Sequence, residues 1–276
     1  MGGSADVNAG GWDRRRLLVV LAAVVATAMV LLLGLGYAVY VALTSATGTA
    51  KPLQAVTAAH DTPGSQPARG AARRDDIASA PMLAFGPADS RASTPAPVAG
   101  PTITIPVSTQ QGPASVPAGF PRTPEGAAAQ LAAIETTVLD GMSIAVANHV
   151  YAQWALPGGV GVAGWEITQD VQAFLATAQM GSEKDMASSV VATPAAAQVK
   201  GTDGTDWVLA CVLLDMRATI TADARMGYGY CERMQWQAGR WMIASGTPPA
   251  RAPSSWPGSD LSNQAGWRTW ATSGQE

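Results

Sequence analysis

Ionisable side chains are scarce in this chain. Asp, Glu, Lys and Arg make up 13% of its 276 residues, about half the share usual in a soluble domain. There are only 2 histidines, His60 and His149, and 2 cysteines, Cys211 and Cys231. Such a set offers no recurring His/Cys spacing of the kind a zinc site needs. No C-x-x-C occurs, which argues against a redox-active pair. The net charge is −3 and no long basic block is present, so nucleic acid is not the expected partner. His149 is the only histidine in the C-terminal half, and no Ser, Cys or carboxylate stands at an interpretable spacing from it. Beside Tyr151 and Trp154 it reads as a packed helical residue. Without partners for a base or nucleophile, no enzyme is expected, nor any cofactor or metal. Glu166, Asp170, Glu183 and Asp185 read as solvated carboxylates near helix ends.

One glycine pattern needs a decision. Gly159-Val160-Gly161-Val162-Ala163-Gly164 matches G-x-G-x-x-G, and Asp185 follows about 20 residues on, as in the dinucleotide fingerprint. That fingerprint requires a strand before the glycines and a helix opening within them. Here a helical segment and Pro157 precede it, so the segment reads as a loop.

A long hydrophobic run is present. Residues 17–41 read LLVVLAAVVATAMVLLLGLGYAVYV, without a charge. Crossing the hydrocarbon takes roughly 20 apolar residues, so the run predicts a single transmembrane helix. Arg14, Arg15 and Arg16 abut its start, and the nearest cation beyond it is Lys51. The positive-inside rule then puts a cytoplasmic tail at 1–16 and everything after the span outside the cytoplasm. Trp12, Tyr37 and Tyr40 sit where interfacial aromatic belts fall. A cleaved signal peptide is the rival reading, and small residues (Thr44, Ser45, Ala46) do follow. Its apolar region spans about 7–15 residues, far fewer than here.

Residues 42–117 are dominated by Pro, Ala, Gly, Ser and Thr. Such a segment buries too little apolar surface to offset its ordering entropy, and it reads as a disordered linker. Ile103-Thr104-Ile105-Pro106-Val107 alternates like an edge strand, but a slightly apolar piece of linker is the preferred reading.

Residues 118–276 read as an extracytoplasmic α+β domain. Thr123-Pro124-Glu125 is a helix start, and Ala127, Leu131, Ile134 and Val138 then recur on one face. A second helix runs from Ile144 to Trp154. A third is capped by Thr168, with Val171, Phe174, Leu175 and Ala178 on one face. Strands follow: 196–200, turned at Asp203-Gly204; the apolar run 207–216; and a hairpin of 228–237 with 240–245. Ala238-Gly239 is the hairpin's two-residue turn, so Trp236 faces Trp241 and Met234 faces Ile243, both toward the helices. A last short helix over 260–270 is capped by Ser259. Helices followed by a curved antiparallel sheet is the α+β pattern.

Cys211 and Cys231 fall on strands expected to be neighbours, opposite each other if the intervening turn centres near Thr221. Outside the cytoplasm this predicts a disulfide. Trp256, Trp267 and Trp270 sit in a polar tail. They either pack that tail onto the domain or form a partner surface, since Trp is enriched at binding hot spots. Cell-wall material is a second target for exposed tryptophans.

Three blocks carry a resemblance: Gly119-Phe120-Pro121-Arg122-Thr123-Pro124-Glu125-Gly126-Ala127, Gly227-Tyr228-Gly229-Tyr230-Cys231 and Arg240-Trp241-Met242-Ile243. From about residue 117 the chain resembles actinobacterial single-span membrane proteins of unknown function, which often accompany conjugative or integrative elements. Its order of elements is similar to the cystatin-like roll of conjugation-channel subunits. The resemblance implies a membrane-anchored structural or interaction component of an envelope complex, with other envelope proteins, or further copies of itself, as partners. It brings no catalytic residues.

Overall fold

The structure, a computed structural model, describes residues 70–274. The tail at 1–16 and the apolar run at 17–41 lie outside the described residues. Among the described residues no helix is long and apolar enough to cross a membrane.

The organising element is a strand that is apolar on both faces. Trp207–Thr219 carries an unbroken run of eight buried residues, Trp207 to Leu214. Such a run requires cover on two sides. Val208, Ala210, Val212 and Leu214 point one way, into the main core. Trp207, Leu209, Cys211 and Leu213 point the other way, into two smaller clusters. We call these the inner and outer faces.

In chain order the elements are α1 (Ala71–Ser79), β1 (Thr102–Ile105), β2 (Gln110–Gln111), β3 (Pro117–Ala118), α2 (Pro124–Gly141), α3 (Ile144–Trp154), α4 (Glu166–Thr177), β4 (Ser189–Thr202), β5 (Trp207–Thr219), β6 (Asp223–Gln237), β7 (Arg240–Ile243), α5 (Asp260–Gln264) and β8 (Arg268–Thr272). Strands β1-β8-β4-β5-β6-β7 form one six-stranded sheet in that order, and β2 with β3 makes a separate ribbon. The class is α+β, with helices packed on a curved, half-barrel sheet. The sheet is not wholly antiparallel as expected, because β1 runs parallel to β8. Helix α5 ends at Gln264, short of the expected 270, and strand β8 begins at Arg268, within the last three residues of that stretch.

Helix α2 lies deepest. Twelve of its residues, from Gly126 to Leu139, are buried, as expected for a helix covered all round. Thr123 caps it by accepting from the Gly126 amide at 3.1 Å. A β-carbon at Gly126 would lie 2.0 Å from the Pro121 carbonyl oxygen, so the entry to this helix requires glycine. Ser259 caps α5 in the same manner. The expected Thr168 cap is not formed: α4 begins at Glu166, and Thr168 is buried within its first turn.

The hairpin turns at Ala238-Gly239, both with positive φ (50° and 81°), the geometry of a type I′ turn. The register is Trp236↔Trp241 and Met234↔Ile243. Strands β5 and β6 pair with Cys211 opposite Cys231, and a disulfide joins them.

Composition misleads over residues 70–117, expected to belong to the linker. Helix α1 buries Ala78 against Trp207, Leu209 and Ala244. Arg74 pairs with Asp203 at 2.7 Å, and Asp75 with Arg233 at 2.9 Å. Met82 and Phe85 pack on the disulfide cluster. Ser90 accepts from the Gly227 amide at 2.7 Å. Ile103 and Ile105, on β1, are buried in the main core. The segment holds no core of its own, so it shows no period. It contributes isolated apolar residues to surfaces that the sheet supplies.

The disulfide closes a loop of 20 residues. In the chain-entropy model that constrains the unfolded state by about 3 kcal/mol. Adding a thiol reductant to the unmodified chain should lower its unfolding free energy by about that amount in urea titrations. An unchanged midpoint would mean the bond contributes nothing.

Candidate functional site

Strand alternation sends Tyr228, Tyr230 and Glu232 of β6 inward, toward the helices, together with Met234 and Trp236. A carboxylate in that series is out of character. Helix α2 brings a second one, Glu135, one turn beyond Leu131, and it is fully buried. Helix α4 contributes Asp170 from its middle and Trp165 from its N-terminal edge. Helix α3 contributes Tyr151.

The polar contacts form a connected set. Glu232 Oε2 accepts from the Tyr230 hydroxyl at 2.5 Å and from Trp165 Nε1 at 3.3 Å. Glu232 Oε1 accepts from the Arg233 amide at 3.0 Å. Trp165 Nε1 also approaches the Tyr230 hydroxyl, at 2.9 Å. The Tyr228 hydroxyl donates to Asp170 Oδ2 at 2.7 Å. Tyr151 and Trp165 pack with ring centroids 5.2 Å apart. The Tyr151 hydroxyl accepts from the Gly161 amide at 3.1 Å.

Glu135 stands apart from this set. Neither of its carboxyl oxygens has a hydrogen-bond partner, and the Thr168 hydroxyl is also unpartnered. Burial pushes the Glu135 carboxyl well up from the ordinary glutamate range, and the charge of Glu232 pushes it further. Burial also raises Glu232, but the bonds from Tyr230, the Arg233 amide and Trp165, together with the Arg233 charge, oppose it. The same buried acids hold both tyrosines in the phenol form: burial first, then Asp170 for Tyr228 and Glu232 for Tyr230. Burial thus raises both acids, and only at Glu232 do hydrogen bonds and a neighbouring cation oppose the rise.

A cavity of about 30 Å³ opens beside this cluster, lined by Tyr151, Trp165, Tyr230, Glu232 and Ile243. Its rim is the loop carrying Gly159, Val160 and Gly164, with Gly246, Pro248 and Pro249 opposite. The G-x-G-x-x-G segment is therefore an ordered rim between two helices, closed by a short 3₁₀ turn at Val162–Gly164. No strand precedes it, so the dinucleotide context is missing.

Other expected residues fall elsewhere. His149 is exposed on α3 rather than packed. Glu183 and Asp185 are exposed as expected, whereas Glu166 pairs with Arg251 at 3.0 Å and Asp170 takes the Tyr228 bond. The three tail tryptophans do not share a surface. Trp267 is 1% exposed, donates to the Pro253 carbonyl at 3.1 Å and belongs to the disulfide cluster. Trp270 packs on the inner core, and Trp256 lies half-buried under the Arg225 guanidinium, 4.8 Å away. Among the described residues no group of three or more His, Cys, Asp or Glu stands close enough to hold a metal ion. The signal that marks the cluster was present: Glu232 interrupts the apolar face Tyr228, Tyr230, Met234, Trp236, and Glu135 follows Leu131 by one turn on the buried face of α2.

Glu135 binds its proton more tightly when folded than when unfolded. Its contribution to stability is thus complete below the ordinary glutamate value of 4.5 and is lost as pH rises through the raised folded value. Glu135→Met, of similar volume, removes an unpartnered buried carboxyl and should stabilise the fold by about 1–3 kcal/mol. The gain should be larger at pH 8 than at pH 5 in thermal melts. Destabilisation at both pH values would show that the carboxyl has partners.

Comparison with protein families, curated proteins and solved structures finds no match for this chain.

Proposed function

We propose that the chain is a non-enzymatic interaction component of a cell-envelope complex, anchored by its apolar run and carrying the α+β domain outside the cytoplasm. The observation that supports this best is the open edge of β1. Strand β1 ends the six-stranded sheet on one side. The carbonyls of Pro101 and Ile105 accept from Thr269 and Ser273, beside and just beyond β8. By the alternation of a parallel ladder, the Thr102 and Thr104 backbones face away; the Thr102 carbonyl accepts from the Arg268 side chain at 2.9 Å, which leaves Thr104 as the open position. Among the described residues no backbone group pairs with Thr104. A groove of about 460 Å³ runs beside this edge, lined by Thr102, Thr104, Pro106, Thr123, Glu125 and Arg268. An unpaired edge next to a groove suits strand addition by an extended peptide. At the opposite end of the sheet β7 lacks this opening, because Leu156 donates to the Ile243 carbonyl at 2.9 Å.

Two further points support the setting. A disulfide between paired strands belongs to an oxidising compartment, in line with the charge asymmetry around residues 17–41. Helices on the inner face of a curved sheet fit a cystatin-like roll, which favours a conjugative or type IV-like secretion assembly. Recognition of cell-wall material through Trp256, Trp267 and Trp270 is less well supported, since the three do not form one exposed surface.

A photoreactive amino acid placed at Thr104 in the full-length chain should crosslink in cells to another envelope protein, or to a second copy. The same probe at exposed Gln172, on α4, should not. Recovery of monomer alone from both positions would refute the reading.

A further inference from the structure

The cavity beside Glu232 combines features that the strand-addition reading does not use. Three aromatic side chains, Tyr151, Trp165 and Tyr230, share its wall with a carboxylate, and no Lys, Arg or His lines it. Glu232 offers about four acceptor sites, and three are filled: by Tyr230, Trp165 and the Arg233 amide. One acceptor site on Oε1 remains. The charge is also not matched by a dedicated cation. Arg233 acts on it electrostatically, but the Arg233 side chain turns to the outer face, where it pairs with Asp75 and donates to the Thr247 carbonyl at 2.8 Å. A second carboxylate, Glu166, also lines the cavity, paired with Arg251 at 3.0 Å. Behind the wall, fully buried Glu135 has no hydrogen-bond partner at all.

We propose that this cavity binds a primary ammonium group on an alkyl stem. An ammonium head is close in size to a water molecule, and a cavity of about 30 Å³ exceeds the roughly 10–15 Å³ that one water needs. It can donate to the remaining Glu232 acceptor. The faces of Tyr151, Trp165 and Tyr230 attract the same charge through the ring quadrupole. Val160, Ile243 and Pro248 offer apolar contact for the stem. A trimethylated head is several times larger and lacks N–H donors, so the site discriminates against it. An anion meets the Glu232 carboxyl and no cation in the lining, and is disfavoured. The shared chemistry covers both a lysine side chain and a free alkylamine. The site is independent of the β1 edge, so either can fail without the other.

The test uses the detergent-solubilised full chain and follows the indole N–H resonance of Trp165, assigned by its loss in Trp165→Phe. n-Butylammonium and Nα-acetyl-lysine methylamide should both shift this resonance saturably. The tighter of the two identifies the source as free amine or peptide side chain. Tetramethylammonium, n-butanol and butyrate should leave it unmoved at equal concentration and ionic strength. Glu232→Gln keeps the shape and removes the charge, and should weaken butylammonium binding at least tenfold. If that variant does not fold, Tyr151→Leu, at the cavity rim, should weaken it several-fold with an unchanged circular dichroism spectrum. Equal shifts from n-butanol or tetramethylammonium, no saturable shift from either amine, or unchanged affinity in the folded variants would overturn the proposal.

Discussion

The pairing of β5 with β6 is the constraint on which the rest of the structure depends. These strands run side by side from Trp207↔Gln235 to Thr219↔Asp223 without a register shift. Because side chains alternate, that one register sorts every residue of β6. Tyr228, Tyr230, Glu232 and Met234 go inward; Gly227, Gly229, Cys231 and Arg233 go outward. A slip of one residue would bury the arginine against α2 and expose the tyrosines. The Cys211–Cys231 bond holds the register, since only this alignment places the two cysteines opposite each other. The outer glycines are required by the same alignment. A β-carbon on Gly227 would lie 1.9 Å from the Ser255 carbonyl oxygen, so the returning C-terminal segment could not cross the sheet.

The inner face carries an energetic conflict. A buried polar group without a partner costs a few kcal/mol, and the Glu135 carboxyl has none. Keeping its proton is the least costly state available to it. Glu232, a neighbour in the same layer, is also raised by burial, but hydrogen bonds that Glu135 lacks oppose the rise. A core selected for stability alone would carry an apolar side chain at each position. Two buried acids in one layer therefore point to a use, and the cavity beside Glu232 is where a use can act.

Local signals in the sequence were reliable for several backbone features, though not for the Thr168 cap or the length of α5. The Thr123 and Ser259 caps, the Ala238-Gly239 turn and the opposition of Cys211 and Cys231 each follow from a few residues close in the chain, or from one register. Long-range cover was not legible. Ile77, Met82, Phe85, Ile103 and Ile105 are separated by Pro, Ala and Ser, and no period joins them, because each docks on a surface formed more than a hundred residues later. Composition over 70–117 therefore reads as disorder, while the same residues complete both faces of the sheet. Trp267 packs the tail onto the domain, one of the two readings that its sequence offered. Its polar neighbours suggest a surface, but the outer cluster around the disulfide receives it. Glu232 and Glu135 break apolar faces that were correctly recognised, so the two acids were readable as exceptions to a pattern.

The two candidate sites lie at opposite ends of the sheet. The groove flanks β1, the first strand in the sheet order, and the cavity reaches Ile243 on β7, the last. With strands about 4.8 Å apart, five steps separate the edges by roughly 24 Å. One element reaches both regions. The start of α2, at Thr123 and Glu125, lines the groove, and Glu135 lies ten residues further on, roughly 15 Å along the axis, in electrostatic contact with Glu232. Its burial along most of its length leaves α2 little room to move without disturbing the core. Among the described residues the one helix that reaches both regions is thus α2, with its unpartnered carboxyl behind the wall of the cavity.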